Sequence, residues 1–309
     1  MGNHHDHSHH GHSHQHSAGN YNRAFLVSVV LNLGFVVIEV VYGILANSLS
    51  LLADAGHNFS DVLGLLLAWG ASVLVQRRPT ARHTYGLRRS SILAALVNAS
   101  VLLLVSGGIA WEAVQRLRSP APVMGNTIIV VAMVGILINT VSALMFMSGR
   151  KHDLNIRGAF LHLAADAFVS LGVVLAGVAI AITDWVWVDP IMSLIVTAVI
   201  IIGTWQLFCD SFNLMLDAVP ENVDPLAVRN YLAERLGVCE VHDLHIWAMS
   251  TTETALTAHL VMLGGYPGDG FLAKLCQDLR ENFGIAHATV QIETGDPQHP
   301  CLLAPDHVL

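Results

Sequence analysis

The stretch SLSLLADAGHNFSD occupies residues 48–61 and opens an apolar run that continues to Val75. His57 and Asp61 stand four apart within it. On an α-helix that spacing puts both side chains on one face, one turn apart. A second apolar run, residues 156–182, contains HLAAD and repeats the step with His162 and Asp166. Two such helices facing each other surround one point with two imidazole nitrogens and two carboxylate oxygens, a set that tetrahedral Zn²⁺ accepts. Two ionised aspartates and two neutral histidines also balance a divalent cation, which lowers the cost of holding charge in an apolar medium.

Around these runs the chain of 309 residues is 53% hydrophobic and only 12% charged, with mean hydropathy +0.56. That composition fits a polytopic membrane protein with a modest soluble part. Six stretches have the ~20 apolar residues of a spanning helix, near residues 24–45, 49–76, 90–114, 124–147, 156–182 and 186–208. Arg23, Arg77, Arg78, Arg82, Arg88, Arg89, Arg150, Lys151 and Arg157 fall on one side of the spans, Arg116 and Arg118 on the other. The positive-inside rule then places both termini in the cytoplasm. Polar residues within spans are functional candidates by default. Asn32, Asn98 and Asn139 read as interhelical hydrogen-bonding groups that fix packing, and Glu39 shares a helix face with Asn32. Asp54, on the same stripe as His57 and Asp61, either lines the approach to the site or caps its helix. Asp189-Pro190 reads as a start signal for the sixth helix.

Beyond residue 210 the pattern becomes that of a soluble domain. Helical periodicity covers 225–236 and 270–283, and alternation marks strands at 238–249, 254–263 and 288–294. The order αββαβ gives a small two-layer α+β domain over 210–296, followed by a loose tail, 297–309. The four domains are thus a disordered cytoplasmic segment (1–20), a six-helix membrane domain (21–209), this cytoplasmic domain and the tail. His242, His245, His259 and His287 stand near Glu293, and strict strand alternation puts His242 and His245 on opposite faces. A metal site and solvated surface histidines are both open readings there.

Residues 209–309 carry 4 Lys/Arg against 14 Asp/Glu, a poor balance for nucleic acid and a good one for collecting cations. The first twenty residues hold His4, His5, His7, His9, His10, His12, His14 and His16 among Ser, Gly, Asp and Gln. This is a flexible segment for weak metal delivery. Cys209, Cys239, Cys276 and Cys301 lack a paired spacing and read as reduced thiols. No cleavable signal segment is expected. Neither HExxH nor a phosphate-binding loop occurs, so a metalloprotease-like enzyme and ATP-driven transport are not expected.

Together, HNFSD, HLAAD, RRPTARHTYGLRR, VHDLHIW…HATVQIE and the His-rich start resemble the cation diffusion facilitator family, specifically bacterial zinc exporters with HxxxD in both helices. The resemblance covers nearly all of the chain from about residue 20. It implies an inner-membrane homodimer in the lipid bilayer, with a transport site of His57, Asp61, His162 and Asp166. It also implies alternating access and exchange of Zn²⁺ for protons; the ligand types themselves leave Cd²⁺, Co²⁺ or Ni²⁺ open as further cargo. In the cytoplasmic domain it implies a zinc site at His242, His259, His287 and Glu293, and Gln291 stands where some relatives have His. A third site between helices 2 and 3 is not expected, since only His83 matches and Leu87 replaces a second His. The competing expectation is a membrane metal sensor or store without transport.

Overall fold

The computed structural model describes residues 18–147 and 154–304. The eight histidines from His4 to His16 and the last five residues of the tail lie outside the described residues. Six long helices come first: α1 Ala18–Leu45, α2 Leu49–Val75, α3 Ser90–Arg118, α4 Gly125–Phe146, α5 Leu154–Thr183 and α6 Val188–Met215. All six are long and apolar enough to cross a membrane. Their outward side chains are apolar too, with Leu104, Ile182 and Ile202 each more than three-quarters exposed. A surface of that kind is at home against lipid. The chain is an integral, multi-pass membrane protein. Then follow α7 Pro225–Ala233, β1 Glu240–Ala248, β2 Thr254–Val261, α8 Asp269–Phe283 and β3 Ile285–Glu293.

The expected elements recur, with shifted ends. α6 continues to Met215 because no Gly or Pro lies between Phe208 and Asp217, whose φ of 62° turns the chain. α3 runs on to Arg118, where Arg116 Nε donates to Glu112 one turn back (3.1 Å).

One compact unit takes residues up to Val62 together with Ser106–Ala198. In it α4 packs closely on α5 at glycines: a Cβ on Gly125 would lie 2.9 Å from the Gly177 carbonyl oxygen. Small residues allow such an approach where helices meet in lipid. Asp189, in the first turn of α6, is fully buried. Its carboxylate accepts hydrogen bonds from Ser48 Oγ (2.6 Å), the Leu49 amide (2.8 Å), the Ser50 amide (3.2 Å) and Ser50 Oγ (2.6 Å). Those amides open α2 and have no acceptor within their own helix. Asp189 therefore caps the helix that carries His57 and Asp61 from about 140 residues away in sequence. Asn32, expected to bond across helices, instead donates to the Ser28 carbonyl of its own helix (3.1 Å).

The second unit takes Leu63–Val105 and Val199 onward. Its sheet has the order β1-β2-β3, antiparallel between β1 and β2 and parallel between β2 and β3. Val228 and Leu232 of α7, Leu275 and Leu279 of α8, and Leu256, Ala258 and Leu260 of β2 build its core. Asp224 starts α7 by accepting from the Leu226 and Ala227 amides, with Pro225 in the first turn. Gly284, at φ 70°, ends α8. Since the even residues of β2 point into this core, His259 is on the opposite face.

Candidate metal centres

The two HxxxD steps converge. His57 Nε2 lies 3.2 Å from Asp166 Oδ1 and 3.7 Å from Asp61 Oδ2. His162 Nε2 lies 3.1 Å from Asp61 Oδ2 and 3.6 Å from Asp166 Oδ2. The imidazoles meet edge to face at 5.7 Å. A tetrahedral ion with Zn–N and Zn–O bonds of 2.0–2.1 Å separates its ligand atoms by about 3.3 Å. The four separations bracket that value, which places the two imidazoles and two carboxylates at the spacing one shared ion needs. All four ligand atoms lie within 4.8 Å of one another.

Access to this cluster is one-sided. The side chains of His162 and Asp61 are 46% and 33% exposed, while Asp166 is 5% exposed. The open pair lies toward the end of α2 and the start of α5, whereas His57 and Asp166 sit deeper. Asp54, one turn deeper still, is fully buried and accepts from Ser170 Oγ (3.1 Å). Of its two expected roles the helix cap falls to Asp189. Beside Asp54, Glu39 is fully buried and accepts from Asn58 Nδ2 (3.0 Å).

A second cluster forms on the outer face of the β-sheet. His259 Nδ1 lies 2.9 Å from Glu293 Oε1, and His242 Nε2 lies 3.3 Å from Glu293 Oε2. Cys301 Sγ is 3.5 Å from His259 Nδ1. The separations again match a tetrahedron, with the longer sulfur edge that a Zn–S bond near 2.3 Å requires. Both nitrogens of the buried His242 make no hydrogen bond, which leaves a lone pair for an ion. The donor set of two imidazoles, a carboxylate and a thiol therefore suits zinc. Burial works against ionisation of the Glu293 carboxyl. Hydrogen bonds from Cys301 and Gln291 and the adjacent His242 and His259 outweigh it and hold the group below its ordinary range.

Three expectations change here. His242 and His245 lie on the same face, because a bulge between them shifts the register. The extra residue resets the alternation. Asp243 adopts φ 49° at the bulge and reaches both His245 Nε2 (2.9 Å) and His259 Nε2 (3.3 Å). His287 does not join the cluster. It pairs with Ala255, four residues before His259 on β2, and so lies about 13 Å down the strand. It is exposed, with its ring against Tyr85 at 5.6 Å. Cys301, read from sequence as an ordinary thiol, takes the fourth position instead. Gly295, at φ 67°, turns the segment after β3, and a Cβ there would lie 3.0 Å from Leu263. That glycine, six residues before a cysteine, was the available signal.

Comparison with known proteins follows the same division of the chain. Residues 25–216 match the model of the cation efflux transmembrane domain, and residues 220–295 that of the cation efflux protein cytoplasmic domain. The chain is 34% identical over 289 residues to a cadmium, cobalt and zinc/H(+)-K(+) antiporter of Bacillus subtilis, covering 92% of this chain and 93% of that one. It is 36% identical to the metal cation efflux system protein CzcD of Cupriavidus metallidurans over 90% of this chain and 88% of that protein. The zinc transporter ZitB of Escherichia coli is 36% identical over 89% and 88%. With the paired HxxxD cluster, six spanning helices and the αββαβ domain in place, the chain belongs to the cation efflux, or cation diffusion facilitator, family of transporters.

Proposed function

We propose that this protein exports Zn²⁺ from the cytoplasm in exchange for protons, with His57, Asp61, His162 and Asp166 as the cargo site. The observation that carries the proposal is the set of four nitrogen–oxygen separations, 3.1 to 3.7 Å, around one point between α2 and α5. Two imidazoles and two carboxylates suit Zn²⁺, leave Cd²⁺ and Co²⁺ as further cargo, and disfavour Cu(I), which prefers sulfur, and Mg²⁺, which prefers oxygen. The names of the relatives, which cite cadmium, cobalt, zinc and H⁺, agree with that range.

The ligands bind metal only when deprotonated, so proton and cation compete for the same lone pairs. Protons arriving from one side therefore release the ion to that side. With both termini in the cytoplasm, the more exposed pair Asp61 and His162 faces the cytoplasm, and the less exposed His57 and the buried Asp166 face outward. This arrangement represents the loading state. Rocking of α2 and α5 would expose the cluster to the other side. The protein acts as a homodimer in a bacterial inner membrane. His242, His259, Glu293 and Cys301 would hold a zinc ion that steadies the cytoplasmic domain, and such an ion supplies cross-linking only.

The test is zinc uptake into inside-out proteoliposomes with an acidic lumen. Wild-type protein should accumulate zinc until the proton gradient is collapsed, and Asp166→Asn should accumulate none. Uptake insensitive to the gradient, or wild-type rates in Asp166→Asn, contradicts the proposal. Stoichiometric binding without uptake assigns the protein as a sensor or store.

A further inference from the structure

Beneath the metal cluster lies a second pair of acids that the four-ligand site does not use. Glu39 on α1 and Asp54 on α2 are both fully buried. One oxygen of each is satisfied, Glu39 Oε2 by Asn58 Nδ2 (3.0 Å) and Asp54 Oδ2 by Ser170 Oγ (3.1 Å). The other two, Glu39 Oε1 and Asp54 Oδ1, are buried without a donor. The two carboxyl groups are within hydrogen-bond reach of each other. Ionised carboxylates only accept hydrogen bonds, so neither can satisfy the other. One proton shared by the two groups lets one donate to the other and removes the repulsion of two buried like charges.

We propose that Glu39 and Asp54 form a one-proton site, separate from the four metal ligands, that carries a counter-ion of the exchange. The inference rests on the proton-exchange reading above. Its position supports it: Glu39 is six residues from the end of α1 and Asp54 five from the start of α2. The pair thus lies on the α1–α2 loop side of the cluster, the side away from Asp61 and the exposed His162. The ionisable groups facing the pair are His57 from α2 and Asp166 from α5. α4, which packs on α1, carries no ionisable side chain. A divalent ion held by His57 and Asp166 repels the shared proton, and by reciprocity the proton opposes the ion. Zinc loading on the cytoplasmic side then weakens the pair's hold on its proton. Zinc departure to the outer side lets the pair take up the next one.

Glu39→Gln and Asp54→Asn test this, because each amide can donate to the remaining carboxylate and preserve the local hydrogen bonding. Both variants are placed in the proteoliposomes described above. Gradient-driven zinc accumulation should fall at least tenfold, whereas isotopic zinc–zinc exchange at equal pH, which needs no net proton movement, stays within threefold of wild type. Protons released per zinc bound by the purified protein should fall by one. Accumulation within twofold of wild type, or unchanged proton release, overturns the proposal. So does equal loss of accumulation and isotopic exchange, which marks a packing role. Absence of gradient-driven uptake in the wild type would instead sink the exchanger reading itself.

Discussion

Asp189→Ala should loosen the start of α2, although residue 189 is on α6. The carboxylate accepts four hydrogen bonds, two from hydroxyls and two from the Leu49 and Ser50 amides. After substitution the hydroxyls retain each other, since Ser48 Oγ and Ser50 Oγ are 3.1 Å apart. The two amides are left buried without an acceptor, at about 1–3 kcal/mol each, so a loss of about 4 kcal/mol is expected. At about 2–4 °C per kcal/mol for a unit of this size, the melting temperature should fall by about 12 °C. Asp189→Asn keeps one acceptor oxygen and should fall by about half as much. Thermal aggregation of the detergent-purified protein, followed by fluorescence-detected size exclusion, measures both. An Asp189→Ala melting temperature within about 2 °C of wild type would refute the capping role.

Three further changes probe other parts of the molecule. Cys301→Ser should weaken zinc at the cytoplasmic cluster by at least the roughly 10–100-fold that a lost supporting group costs, measured by chelator competition; unchanged affinity would remove Cys301 from the site. Gly177→Val places a Cβ 2.9 Å from Ile129 Cγ1 and should cost about 1–3 kcal/mol of stability by overpacking. Gly34→Ala, with nothing within 4 Å, should melt no lower than wild type; equal losses in the two variants would contradict the close α4–α5 packing. In the soluble domain, hydrogen bonds from Lys274 and from Tyr231 hold the Asp278 carboxyl below its ordinary range. A depressed folded pKa gives stability that is present above the ordinary carboxylate value and is lost as pH falls through the lowered one. Wild-type melting should therefore drop more between pH 5 and pH 3 than that of Asp278→Asn, and parallel curves would show that the contact adds nothing.

The legible features were those written in local periodicity. Six apolar runs mark six helices because each must exceed the membrane thickness. The HxxxD steps reveal half of each metal face because residues four apart share one side. α6 overran its expected end because its last seven residues, Cys209–Met215, interrupt the apolar run with Asp210, Ser211 and Asn213 but contain no helix breaker. The shared face of His242 and His245 depends on a bulge, and a single inserted residue inverts an alternation count. Cys301 and Asp189 were missed as partners for a different reason. Cys301 meets His259 across 42 residues and Asp189 meets Leu49 across 140. Tertiary contacts at that separation leave no periodic trace. The Glu39–Asp54 pair lay between the two cases: Glu39 stood out as an acid in a span, but its partner became visible only with the helices packed.

Zinc-edge X-ray absorption tests the cargo site most directly. The protein would carry His242→Ala, His259→Ala and Cys301→Ser and lack residues 2–16, so that of the two metal-holding clusters among the described residues the α2–α5 one remains. The expected spectrum is one zinc per chain with four nitrogen or oxygen neighbours at about 2.0–2.1 Å and no sulfur, lost on adding Asp61→Asn and Asp166→Asn. Six-coordinate zinc, or a signal that survives those two substitutions, would contradict the assignment of His57, Asp61, His162 and Asp166 as the site that carries the ion.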